Sequence, residues 1–310
     1  MTNMKKLGLT ALAGSLVATS AYDGALDVTG TAKVTYASLD ESEVTGNPYS
    51  MSQGMGFSGS GDIDDIGTIS YTYTATNMAL SSSNLKLDMG DNGTLSFANG
   101  ASLTGMQAYY DKMPTSGEQV WDDLDGKANG IAGMSTLNTL GYTNSFAGVG
   151  ISVAYNPDAG VATEGSSKSL ALTSSDLIDG AEIGWAHADV SGSSSDNGED
   201  QDTAYITYTA GAITMGAQRT QLEKSAANSD VDRNHFAVSA AVNENLSISL
   251  GQSVVEFEGA GKDDQENIGI AFSYTMGSMT IAGFNNTEKN TSGTQGTDDS
   301  VSELSIAFAF

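Results

Sequence analysis

From Leu26 to the carboxyl terminus, apolar residues return at every second position, stop at a turn, and return again. Leu26, Val28, Ala32, Val34 and Tyr36 share one phase, with Thr29, Thr31, Lys33 and Thr35 on the other. The last segment sets Leu304, Ile306, Phe308 and Phe310 against Glu303, Ser305, Ala307 and Ala309. Side chains alternate across a strand with period two, so each segment has one apolar and one polar face. Sixteen such segments can be counted. An apolar strand ending on an aromatic residue, with nothing after it to cover that face, points to an outer surface that meets lipid.

Alternation alone does not separate a sandwich from a membrane barrel, but connection lengths do. Short, turn-rich gaps (Gly90–Gly93, Ala210–Gly211, Asn243–Asn245, Met276–Ser278) alternate with long ones such as Asp40–Tyr49, Asn156–Ser167, Ser191–Asp202 and Asn286–Ser300. Short turns at one rim and long loops at the other are the pattern of an up-and-down membrane barrel, and an even strand count returns both ends to one side. Closure removes every lipid-exposed sheet edge. No constant repeat length argues for a β-helix. The reading is all-β: a transmembrane, 16-stranded, antiparallel up-and-down barrel.

No run of about 18 apolar residues is present, so no helix is long and apolar enough to span a membrane. Cysteine is absent, which removes disulfides, thiolate metal sites and a Cys nucleophile. Lys5 and Lys6 precede an apolar stretch, Leu7 to Val17, and the small residues Ala18-Thr19-Ser20-Ala21. That order reads as a secretory signal peptide over residues 1–21, leaving a barrel domain of 22–310. Its removal leaves ten basic residues against 38 acids, a net charge of −28. Such a chain repels phosphate, so nucleic acid is excluded as a partner; its field gathers cations.

The longest connection, 100–136, contains Tyr109, Tyr110, Asp111, Lys112, Met113, Pro114, Glu118, Trp121, Asp122, Asp123 and Asp125. Structureless loops of this length are either functional or disordered. Its three aromatic residues need something to pack on, and the lumen of a wide barrel offers it. Signal peptide, sixteen alternating strands, a long third outer loop and a terminal Phe together resemble the general bacterial trimeric porins, above all those of acidic alphaproteobacterial type. The resemblance is one of architecture. It implies an outer-membrane homotrimer, set among lipid and lipopolysaccharide, whose third outer loop folds into the lumen and narrows it. It implies an acidic side, Asp111, Glu118, Asp122, Asp123 and Asp125, facing a basic wall. The Pro-Glu-Phe-Gly-Gly motif of enterobacterial members is missing. Phe310 resembles the signal read by the β-barrel assembly machinery.

Phase supplies the basic residues: Lys33, Lys86 and Arg233 fall on polar faces, since a lipid-facing cation costs about 2–4 kcal/mol at the midplane. Arg219 shares the phase of Ile213 and Met215, which places it above the membrane or beyond a bulge. Only two histidines occur, His187 and His235, without a Ser–His–acid pattern, so no catalytic residues are expected. Acid clusters, Asp122-Asp123-Asp125 foremost among them and Asp196-Glu199-Asp200-Asp202 another, are candidate calcium ligands without the spacing of an EF-hand loop. No other cofactor is indicated. The expected function is a water-filled, cation-selective channel for passive diffusion of small hydrophilic solutes and ions. The alternatives are a substrate-specific channel, with Tyr109 and Tyr110 as a platform for sugars, and a non-conducting structural or adhesive barrel.

Overall fold

A computed structural model describes residues 26–39, 46–100, 104–126, 128–131, 136–157, 165–191 and 199–310. The expected signal peptide and Asp196 lie outside these residues.

The sixteen strands, in chain order, are β1 (Leu26–Leu39), β2 (Tyr49–Ile63), β3 (Gly67–Thr76), β4 (Ala79–Asp88), β5 (Thr94–Asn99), β6 (Thr139–Phe146), β7 (Val149–Asn156) and β8 (Ser167–Ser174), then β9 (Ala181–Val190), β10 (Glu199–Ala210), β11 (Ile213–Lys224), β12 (Val231–Ala241), β13 (Leu246–Phe257), β14 (Gln265–Met276), β15 (Met279–Lys289) and β16 (Asp299–Ala309). Each pairs antiparallel with its sequence neighbours, and β16 returns to β1 to close the ring. The closing register runs from Thr31 opposite Ala309 to Leu39 opposite Val301. It ends in a reciprocal pair of backbone hydrogen bonds: Gly30 N–H to the Phe310 carbonyl (2.7 Å) and Phe310 N–H to the Gly30 carbonyl (3.0 Å). The last residue is therefore part of the seam.

The apolar phase faces outward. Val34, Met51, Leu85, Phe97, Ile206, Leu250, Ile270 and Phe308 are all exposed. A water-soluble sheet would bury this face; a barrel in lipid presents it. The buried side chains lie on the opposite phase, for example Ala171, Ala186, Tyr205, His235 and Val255.

Turn chemistry matches the twist of the strands. The two-residue connection Asn77–Met78 has φ of 51° and 68°, and Ala147–Gly148 has 50° and 78°. Positive φ at both central residues is the hairpin geometry that follows right-handed twist. Asn77–Met78 is also an exception to the alternation of connection lengths, because it stands at the rim where the other connections are long. Arg219 reaches its outward position without a bulge, since the β10–β11 and β11–β12 registers run unbroken through it. The irregularity lies instead at Thr74/Ala75, between β3 and β4.

Wall height is uneven. β5 has six residues and β6 to β8 have eight each, whereas β10, β11, β13 and β14 have twelve. At about 3.3 Å per residue and a tilt near 40°, six residues rise about 15 Å and twelve about 30 Å, against an apolar band about 25 Å tall.

A loop laid along the inner wall

Residues 104–126 and 128–131 lie against the inward-facing side chains of β7 to β16. The descent begins where Gly105 N–H and Met106 N–H donate to Ser152 Oγ (2.8 Å) and Ser169 Oγ (3.1 Å). Tyr109 then buries its ring edge-on to Tyr205, and its hydroxyl donates to the Leu172 carbonyl (2.6 Å). Met106, Tyr109 and Ile131 pack on Ala171, Ala186 and Ala188, and these small side chains are what allow the loop to approach the wall. Farther round, Pro114 crosses Gly216, where a Cβ would stand 2.5 Å from the proline ring, so only glycine admits the crossing.

The loop then runs past the last strands. Ser116 N–H donates to Ser249 Oγ (2.9 Å). Asn286, 1% exposed, donates from Nδ2 to the carbonyls of Gln119 (2.9 Å) and Asp122 (3.1 Å). Asp125 N–H reaches Asp299 Oδ2 (2.9 Å), and Gly126 N–H reaches Glu288 Oε1 (3.0 Å). The buried Glu288 carboxylate also accepts from Gln265 (3.0 Å) and Asn267 (2.7 Å), so its desolvation is offset by three donors. On the way back, Gln218 Nε2 donates to the carbonyls of Tyr109 (3.0 Å) and Gly130 (3.1 Å). The described residues of the loop leave the wall from β2 to β4 bare, and its inward positions are mostly hydroxyls, Ser50, Ser52, Ser58, Thr72 and Thr74 among them, whereas Ser96 and Ala98 on β5 are buried.

The expected site residues separate into distinct environments. Asp111, Glu118, Asp123 and Asp125 are exposed, and Asp122 is half-buried at the bend. Asp122 Oδ2 accepts from Gln119 N–H (2.6 Å). Burial pushes the Asp122 carboxyl up to about 6, partly offset by the Gln119 N–H, with Asp111 and Asp123 adding like charge. Burial, then the Glu118 charge, raises Asp111; burial, then Asp122, raises Glu118.

Of the basic residues, Lys33 sits at the β1–β16 seam, 2.8 Å from Glu303 and 4.0 Å from Glu118. It lies beside the acidic ledge and not across from it. Arg233 stands behind the loop, where Nη1 donates to the carbonyls of Asn129 (3.0 Å) and Ile131 (2.9 Å). Its role there is to hold the returning limb. Lys86 lies on the bare wall, across from the ledge, between Ser70 and Ser96. Lys112, on the loop itself, pairs with Glu182 (3.0 Å) beneath the rings of Tyr109 and Tyr205.

Sequence reasoning passed over Glu182, Asn286, Glu288, Asp299 and Glu303. Glu182 and Glu303 were visible as polar residues at inward strand positions; Asn286, Glu288 and Asp299 fall within the expected connection 286–300, which β15 and β16 shorten to 290–298. Tyr109, 1% exposed, presents no face to a solute, which removes half of the supposed sugar platform. Among the described residues no three of His, Asp and Glu converge as metal ligands. His187 pairs outward with Asp202 (3.2 Å), and His235 is buried edge-on against Trp121.

No protein-family model and no curated protein sequence matches the chain. Solved structures do. A porin refined at 1.8 Å resolution superposes with a TM-score of 0.69 at 16% identity, over 92% of this chain and 100% of that one. Two multiply substituted variants of the Rhodopseudomonas blastica porin give TM-scores of 0.64 at 16% identity and 0.65 at 14%, with the same coverage. Closed sixteen-strand topology, outward apolar phase and these superpositions agree: the chain has the barrel fold of the porins of known structure.

Proposed function

We propose that the protein is a water-filled outer-membrane channel, and not an enzyme, through which small hydrophilic solutes and ions diffuse passively with cations preferred. The observation that carries this reading is the distribution of charge round the lumen. Asp111, Glu118, Asp122 and Asp123 form an acidic ledge on the loop. Lys33 and Lys112 are each paired with a wall carboxylate, and Arg233 is turned to backbone. Lys86 is left as the cation on the bare wall. Carboxylates at a constriction favour cations, and the field of a strongly acidic chain concentrates them further.

Planar-bilayer reversal potentials under a salt gradient test the reading. Cation preference is expected at low salt and weakens as the Debye length shrinks to about 3 Å at 1 M. Anion preference at low salt would sink it. Export by a signal peptide, insertion by the barrel assembly machinery through Phe310, contact with lipopolysaccharide, and a homotrimer complete the proposal. The low wall at β5 to β8 supports self-association, since about 15 to 20 Å of strand does not fill the apolar band.

A further inference from the structure

The inner wall at β9 and β10 holds an ammonium group in a fitted recess. Lys112 Nζ donates to Glu182 Oε1 (3.0 Å). It lies 4.8 Å from the centre of the Tyr205 ring and 5.5 Å from that of Tyr109, within the roughly 6 Å at which an aromatic face attracts a cation. The two rings meet edge to face, 4.7 Å apart at 81°, so the ammonium is met by two differently oriented rings and a carboxylate. Gly184, opposite Tyr205 in the ladder, makes the room: a Cβ there would overlap Tyr205 and stand 2.8 Å from Tyr109.

The walls of this recess are fixed by groups other than its occupant. The Tyr109 hydroxyl donates to the Leu172 carbonyl (2.6 Å) and lies 2.8 Å from Thr173 Oγ1. The Tyr205 hydroxyl donates to Glu182 Oε1 (2.6 Å), which orients the carboxylate. Glu182 and Tyr205 both stand on strands of the barrel. A site held in this way keeps its shape when the lysine leaves. Both rings are buried, and the ammonium is among the groups that cover them. The ionic part is open to the lumen, the Lys112 side chain being 25% exposed and that of Glu182 34%.

Chemistry identifies the ligand. Aromatic faces attract weakly hydrated organic cations, and a carboxylate beside them accepts a charge-assisted hydrogen bond from an N–H. We propose that Glu182, Tyr205 and Tyr109 form a recognition site for the ammonium group of small alkylamines, which Lys112 fills in the solute-free channel and yields to a solute carrying the same group. The side chain of the loop is then a tethered competitor, acting at an effective concentration of about millimolar or more. It sets the concentration at which such a solute is detained on its way through the lumen. Access from the lumen rests on the reading of the chain as a channel; the recess itself does not.

The test uses the full-length protein and n-propylammonium, which carries the ammonium and the propyl stem that Lys112→Ala removes. In micelles, Lys112→Ala is expected to speed hydrogen exchange over residues 109–113. Propylammonium should restore protection there, because it needs the loop ring and the wall carboxylate together and so binds only the docked loop. 1-Propanol fills the space without charge, and tetraethylammonium brings charge without an N–H; neither should restore it. In bilayers, propylammonium should lower the potassium current saturably, with half effect at a concentration about tenfold or more lower in Lys112→Ala, where the tethered competitor is gone. Glu182→Gln should abolish both responses. Equal rescue by 1-propanol, no rescue, or the same half-effect concentration in the two proteins overturns the proposal. If Lys112→Ala does not fold, titration of wild type against Glu182→Gln decides: a saturable fall in current lost with the carboxylate supports the site, and one that survives overturns it. Absence of current in folded wild type refutes the channel reading, while the exchange result still judges the recess.

Discussion

Replacing Asn286 by Leu should free the acidic bend of the loop while leaving the barrel intact. Asn286 Nδ2 donates to the carbonyls of Gln119 and Asp122, 2.9 and 3.1 Å away, from a side chain that is 1% exposed. Leucine is close in volume, so the main loss is the two donors. A buried acceptor left unpaired costs about 1–3 kcal/mol. Because the bend can relax toward lumen water, about 2–4 kcal/mol in total is the expected loss against local opening. At about 1.4 kcal/mol per factor of ten, opening becomes about 30- to 1,000-fold more frequent. The descending limb keeps Ser152, Ser169 and Leu172 as its partners and should not respond. Hydrogen exchange of the folded protein in micelles, read by mass spectrometry, separates the two regions. Faster exchange is expected over residues 113–126 with no change over 104–110. Equal acceleration across both, or none in either, would refute the idea that Asn286 clamps the bend independently.

Lys86→Glu removes the cation on the bare wall and should deepen cation preference, read as a larger reversal potential in the same salt gradient. Lys33→Gln should shift it less, because Lys33 is already neutralised by Glu303 at 2.8 Å. Cation preference should fall as pH drops through about 6, where Asp122 takes up its proton. Stability moves the opposite way: a raised folded-state pKa contributes stability that is complete below the unfolded value near 3.9 and is lost as pH rises through about 6. Loop exchange should therefore slow on acidification while selectivity declines. Deleting Phe310 removes the reciprocal bonds to Gly30 and should reduce the yield of folded, heat-resistant barrel before it alters the current of those barrels that form.

All sixteen strands were legible because period-two alternation against lipid is imposed at every position, and a slip by one residue would turn charge outward. Loop 100–136 was legible by its length and aromatic content. The use of its partners was not. Lys33, Lys86 and Arg233 share one sequence signal, an inward phase, yet one is paired at the seam, one stands on the bare wall and one grips backbone. Which of these a lysine or arginine does depends on which side of the lumen the loop follows. That path is set by small residues on the wall, Gly216, Ala171 and Ala186, whose meaning appears only once the strands are curved into a ring. The early turn at Asn77–Met78 was likewise quiet in sequence, since two residues between strands read the same at either rim.

The loop touches the wall from β7 round to β16, and its ends are joined where Gly100 N–H meets the Thr136 carbonyl (3.1 Å). A hoop of single-sheet thickness flattens easily under side load; a strut fixed along half its circumference stiffens it. On the proposed channel reading, the strut and the throat are the same segment. Squeezing the cylinder toward an oval must therefore bend the piece that sets its bore, so lateral pressure in the surrounding bilayer should register directly as a change in current.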